Sequence, residues 1–427
     1  MSATQVQVQS LKRSRSSYEP NSELKSEVSA KKTKSEPKRV NKSSTAKPQS
    51  RKSKDKQTIT PPETPPVKPE VIESEVVSEI HFSASHQSIL SITHFKEPLK
   101  IQTEYPIPEL GPHEVLVHNK AIGLNPIDWK GKKFGFGIYH FPWINGRESS
   151  GKVVKLGTKV SGFQIGDKVV VSSTSYRDNR TSTFQQYTAI DSRLVWRLPQ
   201  SFTYEDGATI GVGLVTAGIL FYNSFGFKLE KEPPQQKGTI LIWGGATIVG
   251  IYLAQLAKLY GLKVVSVAST KHESYLREIG VDVLVDRYLS DDEIEQQVAA
   301  ASPEGIAYGI DCVSKETSLK VINLLDKNHK NLKSEADKLR KPLFAGIVGV
   351  PKEYPESVEP REVVIKRFHE DLEFGAKFIE TTTSFLDQQL IRPARYKQYK
   401  GGLEIIDDAL KDLEKIGGNG EKYVVSV

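Results

Sequence analysis

The sequence predicts an α/β chain in which a β-rich domain is followed by a doubly wound parallel sheet, with a disordered basic tail at the N-terminus. Three observations carry that reading. The opening residues are charged and almost free of large apolar side chains. From about residue 78, short apolar or alternating runs follow one another closely, separated by turn residues. Beyond about residue 209 such runs are spaced by helical stretches, the alternation of a parallel sheet covered on both faces.

Residues 1–70 hold 16 Lys and Arg against 7 Asp and Glu, so the tail accounts for the +7 formal charge of the 427-residue chain and the remainder is near neutral. A stretch of this composition cannot bury enough surface to offset its ordering entropy, and residues 1–77 are expected to be disordered. Within it "KKTKSEPKRV" (Lys31 to Val40) reads either as a nuclear import or nucleic-acid patch or as a solvated linker. No secretory apolar segment, and no apolar run long enough to span a bilayer, stands out; Glu19, Glu23 and Glu27 argue against a mitochondrial transit peptide. The single cysteine, Cys312, excludes an intrachain disulfide and points to a reducing compartment, hence a cytoplasmic or nuclear location and no membrane partner. "TPPETPPVKPE" then forms a stiff boundary.

The β-rich domain, residues 78–208, is read from "SILSITHF", "EVLVHNKAIGL", "GKVVKLG", "DKVVVSS" and "FQQYTAI", punctuated by turns such as "ELGPHE" and "VSGFQIGD". The second domain, residues 209–385, is read from "TILIWGG", "KVVSVAS", "VDVLVD", "YGIDCVS" and "LFAGIVGV", with Ile248 to Tyr260 as a helix apolar nearly all round. Residues 386–427 give strand, amphipathic helix and strand, which breaks the alternation and suggests a return to the first domain.

Between the first strand and helix of the second domain lies Gly245-Ala246-Thr247-Ile248-Val249-Gly250. A dinucleotide turn wants one glycine for the tight turn, a second for approach of the pyrophosphate and a third for helix packing against the strand. Gly245 and Gly250 meet two of these tasks; Thr247 replaces the middle glycine and offers a hydroxyl to a phosphate. A turn that binds no nucleotide is the alternative. An NAD-binding turn is followed, some twenty positions on, by an acid for the ribose 2′-hydroxyl, whose charge would repel a 2′-phosphate. Here Ser269 and Thr270 stand there, followed by Lys271, so NADPH is expected in preference to NADH.

In family order, "GLNPIDWK", "NGRESSGKVVKLG", "FQIGDKVV", "EDGATIGVGLVTAGILFY", "LEKEPPQQKGTILIWGGAT" and "GGLEIIDDALKDL" with "NGEKYVVSV" resemble the medium-chain dehydrogenase/reductase superfamily over roughly residues 80–427. They are most similar to its zinc-free branch of quinone oxidoreductases, fungal enoyl reductases and yeast-type aldehyde reductases. The resemblance implies a GroES-like domain, closed by the C-terminal return, around a Rossmann domain, with nicotinamide cofactor and substrate in the cleft. The zinc-dependent members carry a cysteine and a Gly-His-Glu where this chain has "GLNPIDWK" and Gly146-Arg147-Glu148, so no catalytic zinc is expected, and one cysteine cannot build a structural site. His81 and His86 are read as surface residues rather than ligands.

By motif match Asn125, Asp128 and Lys130 line the nicotinamide end, with an Asn-Pro structural turn as the alternative. Tyr139 is a candidate proton donor or an aromatic pocket wall. Thr216, Gly245, Ala246, Thr247, Val249 and Gly250 hold the cofactor, and Ser269, Lys271 and Tyr288 surround a 2′-phosphate. The implied activity is hydride transfer to an aldehyde, enone or quinone, by a monomer or homodimer. The alternative is a catalytically silent cofactor-binding protein acting through its tail.

Overall fold

The computed structural model describes residues 82–173 and 177–427; the tail 1–77 and His81 lie outside the described residues. The β-rich part opens with β1 (His86–Ile92), β2 (Lys100–Pro106) and β3 (Glu114–Leu124). Helix α1 (Pro126–Phe134) intervenes before β4 (Trp143–Ile144), β5 (Glu148–Leu156), β6 (Lys168–Ser172), β7 (Tyr187–Asp191) and β8 (Val195–Arg197). Strands β2, β1 and β4 form a small antiparallel sheet. The long β3 is central to a larger one because Val115, Val117, Ala121 and Ile122 are fully buried and must be covered on both sides.

Strands β9 (Thr239–Trp243), β10 (Lys263–Ala268), β11 (Val283–Asp286), β12 (Tyr308–Asp311), β13 (Leu343–Gly346) and β14 (Glu359–Pro360) make a six-stranded sheet in the order β11-β10-β9-β12-β13-β14. Every pair is parallel, which requires crossovers and so places helices over both faces. This is the doubly wound Rossmann arrangement, whose ligand crevice lies at the carboxyl ends of β9 and its neighbours, where the strand order reverses.

Strands β15 (Tyr396–Lys400) and β16 (Lys422–Ser426) leave that sheet and extend the first one in the order β15-β16-β3-β5-β6-β8. β16 runs antiparallel to β3, with Tyr423 opposite Leu124. The connecting helix Ile406–Ile416 buries Ile406, Ala409, Leu410 and Leu413, one apolar stripe, against the first domain's core. Trp196 of β8 donates to Thr382 Oγ1 at 2.8 Å and stacks on Phe368, so the two domains share a continuous core.

One expectation needs correction. The helical stretch Tyr204–Ser224, 21 residues long, is apolar enough to cross a bilayer, although no such run stood out in the sequence. It is 89% buried within the fold, so its apolarity on all sides reflects a core helix.

Candidate active site

The nucleotide end begins where β9 stops. Gly244, with φ of +86°, makes the tight turn assigned from the sequence to Gly245, one residue later. Gly245 serves a different need: a Cβ there would stand 1.8 Å from Ser266 Oγ on β10. At Gly250 a Cβ would meet the Gly244 carbonyl oxygen at 2.5 Å, the close contact that lets the helix approach the strand. Thr247 caps helix Ile248–Leu259 by accepting from the Gly250 N–H at 3.1 Å. Its hydroxyl oxygen is therefore engaged in the cap, while its hydrogen is still able to serve a phosphate. Ala246, Thr247 and Val249 are half-buried, and apart from the Gly250 N–H, which Thr247 accepts, the first-turn N–H groups of a helix have no acceptor within it and suit a phosphate. The residues present fit a dinucleotide.

Ser269, buried, follows β10 directly. Register pairs Ala268 with Asp286, and the Arg287 N–H bonds the Ala268 carbonyl at 3.0 Å, which brings the end of β11 beside Ser269. Tyr288 is 68% exposed; the Arg287 guanidinium lies 4.6 Å over its ring and donates to its Oη at 2.5 Å. Lys271 is exposed and donates to Asn419 Oδ1 of the C-terminal return. Burial, then Lys271 and Arg287, hold the neighbouring His272 below its usual range. A carboxylate, Asp286, stands close to this cluster, accepting from the Tyr288 N–H at 3.2 Å and from Thr270 Oγ1 at 3.4 Å.

In the β-rich domain, Asn125 is the N-cap of α1, followed by Pro126 in the first turn, where a missing N–H costs nothing. Asp128 Oδ2 accepts the Asn125 N–H at 2.8 Å, and Asn145 Nδ2 donates to the Asp128 carbonyl at 2.9 Å, so both ends of this turn are pinned. The Asn125 amide looks inward. Its Nδ2 donates to Glu148 Oε1 at 2.7 Å and its Oδ1 accepts from Lys422 Nζ at 2.7 Å. Lys422 and Glu148 also form an ion pair, with exposures of 2% and 0%. Glu148 Oε2 accepts the Val212 N–H at 2.9 Å, at the start of helix Gly211–Gly218, where Thr216 is buried and bonds the Val212 carbonyl at 2.7 Å.

The comparisons with known proteins agree with this geometry. The family model for the alcohol dehydrogenase GroES-like domain matches residues 111–200, and that for zinc-binding dehydrogenase matches residues 249–330. The Saccharomyces cerevisiae protein YLR460C is 32% identical over 354 residues, covering 75% of this chain and 92% of the relative. The chain belongs to the medium-chain dehydrogenase/reductase superfamily. The trans-enoyl reductase pvhC of Talaromyces variabilis is 28% identical over 340 residues, covering 76% of this chain and 93% of its own. The mycobacterial protein Rv1454c, solved in complex with NADPH, shares the fold at a TM-score of 0.62 with 22% identity, covering 80% of this chain and all of that one.

Within this superfamily of oxidoreductases the residues foreseen from the sequence divide by position. Asn125 lies buried at the N-terminus of α1. Asp128, read from the sequence as a lining residue, is fully buried and accepts the Asn125 N–H, so in this structure it caps α1 and exposes no atom to the surface. Lys130 is half-buried, its ammonium 5.6 Å from the Trp129 ring centroid. Tyr139 is 55% exposed, its ring 5.6 Å from that of Trp143 and 5.5 Å from the Arg177 guanidinium. His86 is exposed and bonded to Ser85. Cys312 is buried, its thiol pushed up to about 12 by burial, which makes it unreactive. Among the described residues no group of three or more His, Cys, Asp or Glu side chains is placed to hold a metal.

Glu148, Lys422 and Arg287 escaped the sequence reading as site residues. A charged residue inside an otherwise apolar strand, as in "NGRESSGKVV" and "EKYVVSV", is the signal that could have found the first two, since such a charge is rarely buried without a partner.

Proposed function

We propose that this chain is a zinc-independent, NADPH-preferring reductase that delivers hydride to a conjugated double bond, an aldehyde or a quinone. The observation that carries the reading is the buried Asn125 amide, held between a carboxylate and an ammonium, which the reading sets beside the nicotinamide. Bound against the glycine turn, a reduced nicotinamide supplies the hydride. Reduction of a carbonyl or an enone builds negative charge on the substrate oxygen, and a fixed N–H donor in a site closed to water stabilises that charge without a metal. Asn125 Nδ2 carries two hydrogens, of which one goes to Glu148 and the second serves the substrate oxygen. Lys130 and Tyr139, with water, are the proton-bearing groups that complete the reduction.

Ser269, Lys271, Arg287 and Tyr288 supply donors and two cations for a 2′-phosphate, and Ser269 brings no acid to repel it. The fold shared with an NADPH-bound protein and the likeness to a trans-enoyl reductase support cofactor and chemistry alike. The test is oxidation of NADPH and of NADH by the full chain, followed at 340 nm over aldehydes, enones and quinones, with and without a chelator. Turnover with NADPH that survives chelation is expected. Inactivity over the whole panel with both cofactors, or activity restored only by zinc, overturns the reading.

A further inference from the structure

We infer that Lys422 and Glu148 are positioning residues that fix the Asn125 amide in the one orientation that presents an N–H to the substrate; this rests on the reading of Asn125 given above. An asparagine amide has two ends of nearly equal shape, told apart only by what they bond. A carboxylate accepts and cannot donate, while an ammonium donates and cannot accept. Glu148 at one end and Lys422 at the other therefore permit a single orientation, with Nδ2 toward Glu148 and Oδ1 toward Lys422, both at 2.7 Å. The second Nδ2 hydrogen then points in one direction. The ammonium on Oδ1 also draws electron density from the amide and strengthens that N–H as a donor.

The surroundings are built for this arrangement. In the antiparallel pair β16 and β3, Tyr423 lies opposite Leu124, so Lys422 falls opposite Asn125 by register alone. Glu148 lies in a recess that two glycines leave open: a Cβ on Gly123 would stand 2.8 Å from its Cγ, and one on Gly211 3.0 Å from its Oε2. Its second oxygen is tied to the Val212 N–H, so the carboxylate cannot swing away. Stability does not account for such a pair, because a buried ion pair is commonly no better than packed apolar side chains of the same volume.

The test uses the full chain, with trans-2-hexenal and 1,4-benzoquinone as acceptors and NADPH affinity read by fluorescence titration. Lys422→Met should lower kcat roughly 10- to 100-fold, part of the loss known for removing an oxyanion donor, with NADPH affinity unchanged within about two-fold. Lys422→Arg should recover most of it. In an Asn125→Ala background, Lys422→Met should add less than about two-fold, because the two act as one unit. The double variant Glu148→Gln with Lys422→Met removes both charges together and guards against misfolding from an unpaired buried charge.

A readout without turnover comes from protein labelled with 15N at asparagine. The Asn125 side-chain amide pair, identified by its loss in Asn125→Ala, should be exchange-protected in the native chain and lose protection in Lys422→Met. Unchanged protection, or a full independent loss of kcat in the Asn125→Ala background, overturns the inference. If Asn125→Ala itself retains turnover while the amide is protected by Lys422, the failure lies instead in the role given to Asn125.

Discussion

Asp128→Asn separates the charge of a buried carboxylate from the cap it makes. Burial pushes Asp128 up to about 7 from an ordinary 3.8, with Glu148 adding to the rise and Arg147, the Asn125 N–H and Lys422 opposing it. The folded value lies above the unfolded one, so the native state binds the proton more tightly. The stability this confers is complete below about pH 4 and is lost as the pH rises through about 7. With these two values the loss between pH 5 and pH 8 is roughly 2–3 kcal/mol, most of it before pH 7. Asparagine does not titrate, yet its oxygen can still accept the Asn125 N–H. Any fixed penalty of placing an NH2 beside Arg147 is the same at every pH and cancels in the comparison. Urea unfolding of both proteins at pH 5, 6, 7 and 8 reads the effect directly. The stability of the variant relative to the native chain should climb by roughly 2–3 kcal/mol over that range. A difference that stays flat, or falls, would refute the picture of an ionised carboxylate held against its desolvation.

Lys271→Ala should raise KM for NADPH by the equivalent of about 1–2 kcal/mol and leave that for NADH nearly unchanged, and Arg287→Ala should do the same. Equal damage to both cofactors would place these cations away from the 2′-phosphate. Gly250→Ala should weaken binding of either cofactor, since its Cβ would lie 2.5 Å from a backbone oxygen that cannot yield; a titration matching the native chain would show that the helix can shift. Metal analysis of the purified protein should find no stoichiometric zinc, and a chelator should leave the melting temperature unchanged.

Much of the fold was legible because strand periodicity and turn residues are local signals. The run Thr239–Trp243, the glycines after it and the apolar helix that follows announce a Rossmann turn without help from the rest of the chain. Even there the tight turn is at Gly244, since two adjacent glycines do not reveal which one takes positive φ. For "GLNPIDWK" an Asn-Pro turn is the alternative to a nicotinamide-lining motif, although Asn, Pro and Asp at those spacings also spell the start of a helix, which is what forms. Arg147 stands out in the sequence only as a departure from a Gly-His-Glu motif, and Glu148 only as the glutamate that motif shares. That Glu148 pairs with Lys422 follows from the register of β16 on β3, and nothing local to either residue encodes it. Arg287 was overlooked beside Tyr288 for a similar reason: its place next to Ser269 depends on how β11 aligns with β10.

The bond between Lys422 and Asn125 spans 297 residues of sequence. On a ribosome adding about 5–20 residues per second, Asn125 and Glu148 emerge some 15–60 s before the lysine that completes their network. Through that interval β3 lacks its neighbour β16, and Glu148 has no counter-ion from the far end of the chain. If Asn125 serves the substrate as proposed, a chain stopped after residue 400 would carry every strand of the parallel sheet yet lack the lysine that sets that amide.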